Sequence, residues 1–122
     1  MIARIWHGWT RPEDADAYAL LLRTTVLPDI AAQQIPGYRG ADLLRRVPGE
    51  ASRSSDTAPE VEFVTLLWFD SLESVQAFTG SDYEVAHVPA EARRLLARFD
   101  ARSAHYDLVL QNGREYPATG SG

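Results

Sequence analysis

The histidines His7, His87 and His105 are the candidates in this sequence for a base that moves a proton near neutral pH. They are far apart along the chain, so a site that uses them must be assembled by the fold. Tyr18, Tyr83 and Arg93 can donate hydrogen bonds to a developing oxyanion. Trp6, Trp9, Trp68 and Phe78 can form flat apolar walls for an aromatic ligand. The sharpest grouping is His7, Trp68 and His87. The plain reading of each residue stands beside the functional one. Aromatics on strands pack cores, a histidine near a helix end caps or is solvated, and Arg93 sits on a helix face that water can cover. No Ser-His-Asp pattern, phosphate loop or metal-ligand spacing is present. The absence of cysteine excludes a thiolate nucleophile and disulfides.

The elements that must position these residues are read from periodicity. Glu60 to Asp70 reads as a strand that is apolar on both faces, which suits a strand inside a sheet covered on both sides. Ile2 to Thr10 is a further strand. If the two are neighbours, His7 and Trp68 project from one face, expected to be the helix-covered one, and His87 packs above them. On the same reading Val61, Phe63, Leu67 and Phe69 belong to the opposite face. Thr10 and Glu13 form a capping-box pattern ahead of a helix from about Pro12 to Leu27, with Ala15, Tyr18, Ala19, Leu22 and Val26 as its stripe. Pro28 breaks that helix, and a further turn is expected over Asp29 to Gln34.

Tyr38 to Val47 reads as a second strand, and Pro48 to Pro59 as a connector with a lid as its other reading. Asp70 to Glu73 and Ser81 to Glu84 are further capping patterns. The first opens a helix through Phe78 and the second a short turn through His87. Glu91 to Arg98 is expected to be helical and Asp100 to Leu110 to be the last strand. His105 shares a strand face with Asp107 and is expected at an interface or in solvent. Gln111 to Gly113 reads as a turn and the remaining tail as frayed.

With 122 residues the chain reads as one domain over residues 1–110 with a tail at 111–122. Apolar residues at 45% and charged residues at 24% are those of an ordinary globular protein, not a disordered one. A net charge of −5 argues against nucleic acid as a partner. No apolar run is long enough to span a bilayer, so no membrane role is expected. The N-terminus lacks the pattern of a signal peptide, and the cytoplasm is the expected compartment.

The order strand, helix, strand, strand, helices, strand matches a ferredoxin-like βαββαβ arrangement. This is an α+β fold with a four-stranded antiparallel sheet and helices on one face. Such a sheet leaves its other face bare. The apolar residues there predict a homodimer packed sheet on sheet, with a monomer whose tail covers the sheet as the competing account.

The segments I-P-G-Y-R-G-A-D-L-L-R, L-L-W-F-D-S and S-D-Y-E-V-A-H resemble the antibiotic-biosynthesis-monooxygenase superfamily over roughly Met1 to Leu110. The resemblance implies a dimeric α+β barrel. It also implies a cofactor-independent monooxygenase that acts on an aromatic substrate, of polyketide or quinol type, with oxygen. On that reading His7, Trp68 and His87 do the chemistry, while Tyr18, Trp9, Phe78, Tyr83 and Arg93 hold the substrate. The superfamily's haem-degrading members imply an alternative. They use a first-strand asparagine, a tryptophan ending the third strand and a histidine iron ligand. Trp68 and His87 match the last two, and His7 stands where the asparagine would be. A non-catalytic dimer that binds apolar ligands is the third reading.

Overall fold

The computed structural model describes residues 1–46 and 59–115 of the chain. The Pro48–Pro59 connector, apart from Pro59, and the tail beyond Glu115 lie outside the described residues. In chain order the elements begin with β1 (Ile2–Thr10), a 3-10 turn (Pro12–Asp14), α1 (Ala15–Leu21), a π turn (Leu22–Val26) and α2 (Leu27–Ala32). They continue with β2 (Tyr38–Arg45), β3 (Val61–Phe69), α3 (Leu72–Thr79), α4 (Ala90–Leu95), β4 (Leu96–Phe99) and β5 (Ala104–Asp107). A small hairpin of β6 (Leu110–Gln111) and β7 (Arg114–Glu115) follows. The architecture is α+β with an antiparallel sheet, compatible with a ferredoxin-like fold. No helix among the described residues is long and apolar enough to cross a membrane.

β3 pairs along its whole length with β1 on one side and β2 on the other. This double pairing accounts for its apolar character on both faces. The far side of β1 is shared. β4 pairs with its Gly8 to Thr10 end and β5 with its Ile2 to Ile5 end. The last strand expected over Asp100 to Leu110 is therefore reduced to β5, and β4 pairs with β1 ahead of it. Helix α4 likewise stops at Leu95, and Leu96 to Phe99 is strand rather than the end of a helix. Pairing with β1 outweighs the helical propensity of Leu96 and Arg98.

The helical run after β1 carries the expected stripe, with Ala15, Tyr18 and Leu22 buried. Its start differs from the capping-box expectation. Thr10 is still paired in β1, and its hydroxyl is buried with no hydrogen-bond partner among the described residues, so Arg11 stands at the helix entry without a side-chain cap. Pro28 does not end the run. It has no N–H to donate to the carbonyl four residues back, and the chain widens into the π turn Leu22–Val26 before α2 resumes. Ser71 is the cap of α3, its side chain accepting from Ser74 N, while Asp70 pairs with Arg39 at 2.7 Å. Gly37 makes the turn into β2 at φ 84°, packed against α3 so closely that a Cβ would stand 2.7 Å from the Ser74 Cβ. No helix forms at Ser81 to His87. The short turn expected there forms at Tyr83 and Glu84, with Val85 N donating to the Asp82 carbonyl, but it stops short of His87, and Val85 bridges to Arg102.

The helices cover the sheet face that carries Ile2, Arg4, Trp6 and Gly8 of β1 and Phe63, Thr65, Leu67 and Phe69 of β3. Phe63 packs against Tyr18, with ring centroids 4.8 Å apart. Phe69 lies between Tyr38 at 5.5 Å and Phe78 at 6.0 Å. Directly opposed residues of an antiparallel pair share a face. Ala3, Ile5, His7 and Trp9 therefore lie on the other side with Glu62, Val64, Leu66 and Trp68. The expected assignment of faces is reversed. Phe63, Leu67 and Phe69 form the core under the helices, and Val64, Leu66 and Trp68 lie on the open face. The open face also carries exposed Leu44 and Tyr106.

Candidate functional site

A cavity opens between the helices and the dry face of the sheet. Its floor is Arg4, Trp6, Thr65 and Leu67, and its walls include Tyr18, Leu22, Phe78, Ala92 and Ser103. His87, Val88 and Pro89 stand at one side, with His87 solvent-exposed and its ring 6.0 Å from that of Phe78. The cavity comprises about 560 Å³ of free space including its mouth, of which about 70 Å³ admits the centre of a water molecule. One water needs roughly 10–15 Å³ by that measure, so the space holds a handful of waters or a one-ring ligand.

Trp6 is fixed from two sides. Its indole Nε1 donates to the Asp100 carbonyl at 2.6 Å, and its ring crosses Gly8, where a Cβ would stand 3.0 Å from the ring. Tyr18 is 1% exposed, and burial pushes its phenol well above the ordinary range, so it remains a neutral donor. Its hydroxyl has no hydrogen-bond partner among the described residues. It is not a sealed atom either, as the Thr10 hydroxyl is. The opening beside it is the cavity that Tyr18 lines.

Arg4 is the charged residue of the floor, 4% exposed. Its Nη1 donates to the Tyr83 carbonyl and its Nη2 to the Val85 carbonyl at 3.0 Å. Nη1 also lies 3.0 Å from His105 Nε2. That contact requires a lone pair on Nε2, so the His105 ring is neutral with its proton on Nδ1. The guanidinium stands 5.9 Å from the Phe78 ring centroid. Desolvation lowers the Arg4 pKa to about 10, still far above neutral, and the group stays charged. The edge of the His105 ring meets Tyr83 at 5.1 Å. His105 thus sits beneath the 83–85 segment rather than at an interface, because its register partner Arg4 faces the helices.

Desolvation, and then the Arg4 charge, lower the His105 pKa from 6.5 to about 4, with Glu84 opposing. A depressed histidine stabilises the fold fully above pH 6.5. Below that the unfolded chain takes up a proton that the folded chain refuses until about pH 4. Discounted for a half-buried group, the loss is about 1–2 kcal/mol. Urea unfolding at pH 7 and pH 4.5 is expected to show the wild type losing that much more stability than His105→Gln. Equal losses would remove His105 as the cause.

Of the residues singled out in the sequence, Trp6, Tyr18, Phe78 and His87 meet at this cavity, with Tyr83 beside it. His7, Trp9 and Trp68 do not. They lie on the open face, through the sheet from the cavity. His7 Nδ1 contacts Glu62 Oε2 at 2.8 Å, Trp68 Nε1 donates to Asp42 at 3.0 Å, and the Arg98 guanidinium covers Trp9 at 3.8 Å. Arg93 is exposed and packs over Phe99 at 5.8 Å. The His7–Trp68–His87 grouping is therefore split by the sheet. These residues do not fit a haem held between a ligand on one side and partners on the other. Arg4, Thr65 and Ser103 are the site residues the sequence reading missed. The available signal was Arg4 itself, a charge in phase with Ile2 and Trp6 on a strand with a dry face.

No protein-family model matches the chain, and no curated protein matches it.

Proposed function

We propose that the protein binds a one-ring aromatic molecule of quinol type in this cavity and oxidises it with oxygen without a cofactor. The observation that carries the reading is an apolar, one-ring-sized cavity lined both by Tyr18, whose hydroxyl has no hydrogen-bond partner among the described residues, and by an exposed imidazole, His87. In the reaction His87 accepts the proton of the quinol hydroxyl. The resulting phenolate is electron-rich enough to reduce oxygen itself, so the electrons come from the substrate. A ring carbon forms a C–O bond to oxygen and loses its hydrogen as the O–O bond breaks. One oxygen atom enters the product as a carbonyl and the other leaves as water. Tyr18 donates to the oxyanion, and Trp6 and Phe78 hold the ring between them. The finer arrangement we infer is a βαββαβ domain that dimerises through its open sheet face into an α+β barrel.

An oxygen electrode with hydroquinone as substrate tests the reading, with uptake corrected for autoxidation and the hydroxyquinone product identified by mass. Wild type is expected to consume one oxygen per quinol. His87→Gln is expected to lower the rate by roughly 10²-fold, the usual contribution of a positioned base. Ligand binding without oxygen uptake would replace the oxygenase with a passive binder.

A further inference from the structure

The cavity's charge balance is unusual for an apolar pocket. Arg4 is buried, yet no carboxylate pairs with it among the described residues. Glu84, the acid whose charge reaches His105, pairs instead with Arg102 at 3.8 Å. An isolated buried cation is costly unless something compensates it. The carbonyls of Tyr83 and Val85 and the lone pair of His105 supply dipoles but no negative charge.

Those three contacts also leave donors unspent. Nη1 is committed to Tyr83 and His105, and Nη2 has one contact, to Val85. Nε–H and the second Nη2–H have no acceptor among the described residues. Two free N–H groups on adjacent nitrogens of a planar fork match the two oxygens of a carboxylate. The same Arg4 lines the cavity, and Ser103, 4% exposed, lines it too.

We propose that Arg4 is the anion-recognition residue of this cavity and that the ligand is a one-ring aromatic carboxylate, the ring on Trp6 and Phe78 and the carboxylate on the free edge of the guanidinium. This rests on the reading of the cavity as the ligand site and adds the acidic group to it. The Arg4 contacts to the 83–85 carbonyls hold the guanidinium in place before any ligand arrives, so binding needs no reordering of the side chain.

Isothermal titration of the wild type at pH 7 with 2,5-dihydroxybenzoate and with its methyl ester tests the proposal. The acid is expected to bind at least tenfold more tightly than the ester. Arg4→Met keeps the apolar stem and is expected to bring the two within twofold. Arg4→Lys keeps the charge without the paired donors and is expected to leave a preference of a few-fold. Acid and ester binding equally well to the wild type would overturn the anion site while leaving the cavity reading intact. Neither binding at millimolar concentration would overturn both. A preference unchanged in folded Arg4→Met would remove Arg4 from the role. Should Arg4→Met fail to fold, the wild-type ratio of acid to ester decides alone.

Discussion

Phe69→Ala is expected to destabilise the protein by about 3–5 kcal/mol, the range for removing a buried phenylalanine ring. Phe69 is 0% exposed, ends β3, and is held between Tyr38 and Phe78 under α3. The ring's loss strips contacts from all three elements, and the backbone cannot follow because Phe69 is paired on both sides, with Ile2 and Tyr38. A domain of this size has a total stability on the order of 5–15 kcal/mol, so the variant would be marginal at 37 °C. Urea titration gives the value directly, as a shift in midpoint at constant slope. Trp68→Ala is the matched control, one residue earlier and on the opposite face. In an isolated chain it loses a half-exposed ring and one hydrogen bond to Asp42, and is expected to cost far less. Similar costs for the two in the monomeric Leu66→Asp background would contradict the assignment of faces.

Leu66→Asp is expected to turn a dimer into a monomer. Leu66 lies on the open face among Ile5, Val64 and Trp68, directly opposite Ile5 on β1. In an isolated chain this position is partly exposed and a carboxylate there is tolerated. In a sheet-on-sheet dimer each copy would bury an unpaired charge close to its symmetry mate, which costs several kcal/mol per interface. Sedimentation at about 10 µM should show the wild type at twice the chain mass and the variant at one chain mass, with unchanged far-UV circular dichroism. A wild type that sediments as a single chain would sink the dimer proposal.

Much of the fold was legible because it depends on local rules. The stripe through Ala15, Tyr18 and Leu22 has helical period and is buried as expected. β3 was found from its run of branched and aromatic residues, and Gly80 ends α3 at φ 90°. What stayed illegible depends on phase and on distant partners. A strand that is apolar on both faces gives no parity signal, so nothing local says whether Phe69 or Trp68 faces the helices. The choice is made by α3, which follows after two residues and presents Leu72 and Val75 to Phe69. Ser81 to Glu84 carries the residues of a helix start, but the Tyr83 and Glu84 carbonyls accept from Arg4 and from the Ser103 amide, so a turn forms there and no helix continues from it. The candidate site divided along the same line. Tyr18, Phe78 and His87 were identified by residue type alone. His7 and Trp68 were misplaced because they share a face with each other but not with the cavity.

The position of β1 at the centre of the sheet also governs when the protein can fold. Its neighbours on the two sides come from distant parts of the chain, β3 from the middle and β4 and β5 from Leu96 onward. The contacts that join Trp6 to Asp100 and Arg4 to His105 span 94 and 101 residues. Loops of that length must close before the sheet is complete, which places the domain among slow-folding, high-contact-order topologies. β1, carrying Ile2, Ile5, Trp6 and Trp9, is made before either neighbour, and after β3 has paired with one hydrogen-bonding edge the other stays open until residues 96–107 follow. β1 is thus the strand that stays open to mispairing longest during synthesis, and a chaperone that shields it would improve yield more than one acting on the finished chain.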